Sequence, residues 1–265
     1  MLIDSHAHIK YPGPAVGGGP GEPPPGSDEW AMDQAYVDAA DVLGIDVLVC
    51  SCLTPKPATP EIFRTGNDRV LEAMEMWPGR IWMHTYVNPG HMREAIAELG
   101  RTRAAHDDVV GCKLYDDHVC SDPVCYPIVE KCIELGLVIV INQGHGTDML
   151  FNKPHHRSDA GDIADLARRY PQAKLIADHI GGGGDWEWTC KTLAEVPNVY
   201  NEISGSGVDE GMLEMQLEYL GAERLLFACD MSMCAGMGKF DALPCSEEEK
   251  QKIGSDNFLR LCGRL

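Results

Sequence analysis

The 265-residue chain is short of positive charge. Lysine and arginine total 22 against 41 aspartate and glutamate, a formal net charge of −19. So acidic a surface repels phosphate backbones and anionic headgroups, which argues against nucleic acid and membrane surfaces as partners. Long apolar runs are also lacking. None approaches the roughly 18 residues that a bilayer-spanning helix needs. The first residues, Met1-Leu2-Ile3-Asp4-Ser5-His6, have no charged segment leading into an apolar core, so no secretory signal is expected there. Eleven cysteines are present, an odd number, but no Cys-x-x-Cys pair occurs. One residue separates Cys50 from Cys52, and four separate Cys120 from Cys125. Neither spacing suits a zinc ribbon or an iron–sulfur cradle. A reducing, cytoplasmic compartment is the expectation, with most cysteines serving as small core residues. Gly181 to Gly184 lead to no Gly-Lys-Ser/Thr and form no dinucleotide fingerprint, and no Gly-x-Ser-x-Gly elbow is present.

What is there is an alternation. Short apolar runs at 2–6, 46–50, 81–87, 109–115, 137–142, 173–178, 198–203 and 224–229 read as eight strands. Helical patterns fall between them, at 32–43, 61–77, 93–106, 124–135, 162–170, 186–195 and 209–220. A last helix is expected at 247–261, opened by Ser246 as N-cap with Glu249 three residues on. Strands joined through helices pair in parallel, because a parallel pair needs a long crossover. Eight such units in about 250 residues predict a single-domain α/β fold, the (β/α)8 TIM barrel. Strand counting alone is also compatible with an open doubly wound sheet. Residues 11–27, rich in glycine and proline, are expected to form a loop over the barrel mouth.

Polar residues gather at the strand ends. His6 and His8 stand two apart on the first strand and so share a face. In a barrel, that end of the strand faces the catalytic mouth. The fifth strand runs into Asn142 and then His145, the sixth into Asp178 and His179, and the eighth into Asp230. Four independent strand ends therefore deliver imidazole, carboxylate or amide groups to one rim. The fourth strand carries Lys113. The cluster Lys153-Pro154-His155-His156-Arg157 could clamp a substrate carboxylate, with Arg157 doing so through two parallel hydrogen bonds. A solvated face in which Arg157 pairs with Asp159 and Asp162 is the alternative. Trp186 and Trp188 could wall a pocket or simply pack a helix. His84 and His118 are further candidates, for which structural roles are expected.

The segments Asp4-Ser5-His6-Ala7-His8, Asp178-His179-Ile180-Gly181-Gly182, Asn198-Val199-Tyr200 and Phe227-Ala228-Cys229-Asp230-Met231 occur in an order that resembles the amidohydrolase-2 group of the amidohydrolase superfamily. That group includes the aminocarboxymuconate semialdehyde decarboxylase-like enzymes. The resemblance runs over nearly the whole chain. It implies a divalent metal, zinc first with manganese or iron as alternatives, held by His6, His8 and Asp230. His179 would be a catalytic or ligating group, and Asp230 a catalytic carboxylate as well. The family pattern has a histidine where this chain has Asn142; either His145 replaces it from the loop, or Asn142 ligates weakly, or the metal site is degraded. In dinuclear relatives a carboxylated lysine of the fourth strand bridges two metals. Lys113 is expected instead to hold substrate or support the ligands, as are Asn142, His155, Arg157 and Trp186. The function so implied is hydrolysis of a small, anionic lactone, amide or ester by metal-activated water. Non-oxidative decarboxylation of an aromatic or muconate-type acid is the second reading. A barrel that binds a metabolite without turnover is the third. Oligomeric state, a homo-oligomer included, is left open.

Overall fold

The computed structural model describes residues 1–10, 30–144, 147–148, 153–154, 157–179, 185–205 and 207–265. The proposed mouth loop at 11–27, together with His145 and His155, lies outside them. Eight parallel strands follow one another in chain order around a nearly closed barrel: β1 (Ile3–Lys10), β2 (Val47–Leu53), β3 (Ile81–Tyr86), β4 (Val109–Leu114), β5 (Val138–Ile141), β6 (Leu175–Ala177), β7 (Val199–Glu202) and β8 (Leu225–Leu226). The fold is a single-domain (β/α)8 barrel. The crossovers are α1 (Ala31–Val42), α2 (Pro60–Met76), α3 (Met92–Ala105), α4 (Tyr126–Leu135), α5 (Ala160–Arg169), α6 (Trp186–Ala194) and α7 (Met212–Leu220). A short antiparallel pair, Thr147–Asp148 with Lys153–Pro154, decorates the connection after β5.

The seam between β8 and β1 is tied by single bonds instead of a ladder. Ser5 N and Oγ both donate to the Phe227 carbonyl, at 3.1 and 2.8 Å, and Asp230 N donates to the His6 carbonyl at 2.8 Å. Asp4 Oδ1 accepts from His6 N at 3.1 Å and from Cys229 N at 2.9 Å. Burial pushes this Asp4 carboxyl up to about 7. These bonds fix the ends that carry His6 and Asp230 against each other.

Two irregularities set which side chains point inward. Ile3 pairs with Val47 and Asp4 with Leu48, but Ala7 pairs with Cys50, so β1 spends one extra residue there. Such a bulge re-aims the side chains beyond it. Ile3 packs inside the barrel with Val47 and Val49, whereas Ala7 and Ile9 pack outside against helices. His8, in register with Ser51, then faces inward. A second shift, between Met83 and His84 against Val109 and Gly111, places Lys113 inward in the same way. A Cβ at Gly111 would lie 2.3 Å from His84 Nδ1, so only glycine leaves room for that ring.

The barrel interior is apolar at the N-terminal ends of the strands. Trp82, Val138, Val140, Ile176 and Leu226 meet Phe258 from the C-terminal helix there. That helix is continuous in position but not in type. Residues Glu247–Gln251 (α9) and Asn257–Leu261 (α10) flank a π turn at Lys252–Asp256, and Phe227 N donates to the Ile253 carbonyl at 2.9 Å. Its start matches expectation, a capping box between Ser246 and Glu249. Helix α8 (Met233–Ala242), labelled in chain order before α9, was not foreseen. It comes so close to the end of β8 that a Cβ at Gly236 would lie 2.6 Å from Cys229 Sγ. No described helix is long and apolar enough to cross a membrane.

Candidate active site

The C-terminal ends of β1, β4, β6, β7 and β8 bring His6, His8, Lys113, Asp178, His179, Glu202 and Asp230 together. The His6 ring centroid lies 4.9 Å from that of His8 and 5.0 Å from that of His179. His179 (φ 51°) and Asp230 (φ 46°) both adopt the left-handed backbone conformation, and Met231 (φ 65°) follows. Non-glycine residues rarely do this, and where they do the surrounding structure must hold the strain. Here the strain turns an imidazole and a carboxylate into the mouth.

Hydrogen-bond partners assign two of the imidazole tautomers. His6 Nδ1 lies 2.9 Å from Glu202 Oε1, and a carboxylate only accepts, so Nδ1 carries the proton. His8 Nδ1 lies 3.1 Å from Ser51 Oγ and 3.2 Å from the Ser51 carbonyl, so either of its ring nitrogens can carry the proton. Ser204 Oγ donates to Glu202 Oε1 at 2.7 Å, which leaves it to accept from His179 Nδ1 at 3.0 Å. All three rings turn Nε2 toward Asp230. His8 Nε2 is 3.0 Å from Asp230 Oδ1, His6 Nε2 is 3.5 Å from it, and His179 Nε2 is 3.7 Å from Oδ2.

Burial drives His6 down to about 3, with the Lys113 ammonium adding to the effect. Burial also lowers His8 and His179. Burial alone would raise Asp230, but the surrounding His6, His8 and His179 hold it well below the usual carboxylate range. Burial likewise opposes ionisation of Glu202, and the bonds from His6 and His179 outweigh it, bringing that carboxyl to about 2. The cluster thus disfavours protonation of its imidazoles and favours ionisation of Asp230 and Glu202, whereas burial raises Asp178 well above the usual carboxylate range.

One ligand atom each from His6, His8 and Asp230 lies within 4.8 Å of the other two; His6, Asp178 and His179 form a second such group. The first set fits a divalent metal. Each imidazole presents Nε2 toward the Asp230 carboxylate and is contacted at Nδ1 by a fixed polar group, as metal-bound histidines are. Two nitrogens and one oxygen suit zinc, manganese or iron.

The remaining expected residues are spread around the mouth. Lys113 Nζ bonds His6 Nε2 at 3.0 Å and Asp178 Oδ2. Asn142 does not turn its amide nitrogen to the histidines; it donates to Asp116 Oδ1. Asp116 also takes Arg157 Nε at 3.0 Å, so Arg157 pairs with this residue and not with Asp159 or Asp162, which form the cap of α5. A Cβ at Gly144 would lie 2.6 Å from Arg157 Cδ, so glycine clears the path of that side chain. Trp186 opens α6 half-buried, and Trp188 packs over Gly161 of α5. His84 bonds the Ser5 carbonyl below the cluster, and His118 lies against Gly90, consistent with structural roles.

Sequence reasoning missed Glu202. It receives bonds from His6 and Ser204 and from the backbone of His179, and so organises two of the three rings. Its signal was an acidic residue at an inward position of an apolar strand. Lys56 was missed as well. Its ammonium lies 3.3 Å from the Tyr115 ring centroid. Although the residue reaches solvent, enclosure of the ammonium lowers it to about 8, against the pull of Asp116 and Asp117.

The sequence pattern of the family described as Amidohydrolase matches residues 3–264. No curated protein matches the chain. Among solved structures, the chain is similar to 5-carboxyvanillate decarboxylase from Sphingomonas paucimobilis, at 17% identity and a TM-score of 0.72, over 99% of this chain and 98% of that one. It is similar to a dihydroxybenzoic acid decarboxylase from Polaromonas sp. JS666 with bound manganese and the inhibitor 2-nitroresorcinol, at 17% identity and 0.71, over 99% and 96%. It is also similar to a candidate 2-pyrone-4,6-dicarboxylic acid hydrolase from Pseudomonas putida, at 18% identity and 0.64, over 99% and 97%. At these identities the likeness establishes the fold.

Proposed function

The chain belongs to the amidohydrolase family of enzymes, and from that premise we propose that it hydrolyses a small, carboxylate-bearing lactone, ester or amide. The observation that carries the reading is Asp230, held in a left-handed conformation with imidazole Nε2 atoms on either side. His6, His8 and Asp230 would hold a divalent metal. When bound, such an ion supplies Lewis-acid chemistry, making water a stronger acid and polarising a carbonyl.

The protein's own groups do the rest. Asp230 has 30% of its side chain exposed, so it can reach an attacking water from the mouth. Its carboxylate accepts the proton from that water and returns it to the leaving group. His179 Nε2 faces the second Asp230 oxygen at 3.7 Å, where it can accept a proton at the mouth. Lys56 and Arg157 stand at the mouth as cations for the substrate carboxylate, with Tyr115 between Lys56 and His8.

Non-oxidative decarboxylation is the second reading, supported by the full-length likeness to two aromatic-acid decarboxylases. Here His179 or Asp230 would take a proton from the substrate's own carboxyl or hydroxyl group or from water and deliver it to the substrate carbon as carbon dioxide leaves. The test is a panel of lactones, esters and amides against hydroxybenzoates and muconate-type acids, scored by ring opening and by carbon dioxide release. Hydrolysis that disappears in Asp230→Asn supports the first reading, and carbon dioxide release the second. Processing of the panel at unchanged rate by His179→Ala would speak against both.

A further inference from the structure

An imidazole nitrogen has one lone pair, and His6 Nε2 has two claimants. As a metal ligand it would point to the ion shared with His8 and Asp230. In the structure it accepts a hydrogen bond from Lys113 Nζ at 3.0 Å. The other claimant's position is not incidental. Lys113 reaches inward from β4, its side chain is 1% exposed, and its second bond goes to Asp178, which is fully buried. An ammonium removed from water this completely stays only where acceptors replace its hydration. His6 Nε2 and Asp178 are those acceptors.

We infer that Lys113 is a resident cation of the metal-free site, and that a divalent ion must displace its ammonium from His6 Nε2 in order to bind. This inference rests on the metal reading of His6, His8 and Asp230. It adds a role for Lys113 as competitor, not as ligand. Two consequences follow. Lys113 supplies the metal-free cluster with a positive charge beside His6 and Asp178, so those two side chains are held in place before metal arrives. It also weakens metal binding, first by taking the lone pair and then by placing a positive charge next to the ion. Asp178 gives the displaced ammonium a partner to stay with, so displacement does not expel it into solvent.

The test is isothermal titration of chelator-stripped full-length protein with manganese, comparing wild type with Lys113→Met. The variant is expected to bind at least about tenfold more tightly, since it loses both the competing bond and the like charge. Its metal-free form is expected to melt lower than wild type, because Asp178 then lies buried without its partner. The double variant Lys113→Met/Asp178→Asn removes that orphaned carboxyl. It keeps the measurement available if the single variant folds poorly, and it should retain affinity above wild type. Binding by wild type with equal or weaker binding by the folded variants overturns the inference and leaves the metal reading standing. That result would instead make Lys113 a support for the ion. Binding by none of the proteins overturns the metal reading and this inference with it.

Discussion

Replacing Glu202 by glutamine keeps the shape of the side chain and removes the charge on which the site is hung. Glu202 Oε1 accepts from His6 Nδ1 and His179 N at 2.9 Å and from Ser204 Oγ at 2.7 Å, and Oε2 accepts from Ser204 N. The best glutamine rotamer leaves its oxygen on the first three donors and turns its NH2 toward Ser204 N. One buried N–H is then orphaned, at a cost of about 1–3 kcal/mol. The three remaining bonds change from charge-assisted to neutral, each losing about half its strength, or roughly 2 kcal/mol together. The sum, about 3–5 kcal/mol, matches what breaking a buried charged network typically costs. At roughly 2–4 °C per kcal/mol for a domain of this size, the melting temperature should fall by about 10 °C. With His6 braced by a neutral amide oxygen instead of a carboxylate, metal affinity should fall by about 10–100-fold. Differential scanning calorimetry and metal titration on the same preparation read both quantities. A variant that melts with wild type and binds metal equally well would refute the view that Glu202 organises the cluster.

Three further outcomes are expected. Asp230→Asn should fold as wild type and lose about 10²–10⁴ in turnover, as removal of a general base does; a loss under tenfold would remove Asp230 from that role. Because enclosure lowers the Lys56 ammonium to about 8, its charge is present below that pH and lost above it. The KM for an anionic substrate should therefore rise as pH passes through about 8 in wild type and stay flat in Lys56→Met, and the same rise in both proteins would clear Lys56 of substrate binding. Gly111→Ala should cost about 1–3 kcal/mol in urea denaturation, the usual penalty of overpacking, since the added Cβ meets His84 and Val138; an unchanged midpoint would mean that His84 moves freely.

The barrel was legible because most strands carry a short apolar run, buried on both faces, between amphipathic helices. The strand ends that carry His6, His8, His179 and Asp230 followed from the same pattern. Helix α8 was not legible: Met233–Ala242 holds two glycines and no apolar stripe, and tertiary contacts hold it instead, with Lys239 Nζ bonding the carbonyls of Ile203 and Ser204 at 3.0 Å. The bulges in β1 and β4 leave no mark in composition, yet they decide that His8 and Lys113 point inward. The π turn in the closing helix is equally silent in sequence. Glu202 and the Asn142–Asp116–Arg157 chain were hidden for another reason. They depend on which side chains meet across the mouth, and one strand's sequence does not say what the opposite strand presents.

The central claim is that His6, His8 and Asp230 share a divalent ion through Nε2, Nε2 and a carboxylate oxygen. Anomalous diffraction from crystals of the zinc-loaded protein, collected on both sides of the zinc edge, tests it directly. One strong peak is expected about 2.0–2.2 Å from each of those three atoms, with Lys113 Nζ moved off His6. No peak among the three, or a peak with His6 Nε2 still bonded to Lys113, would contradict it.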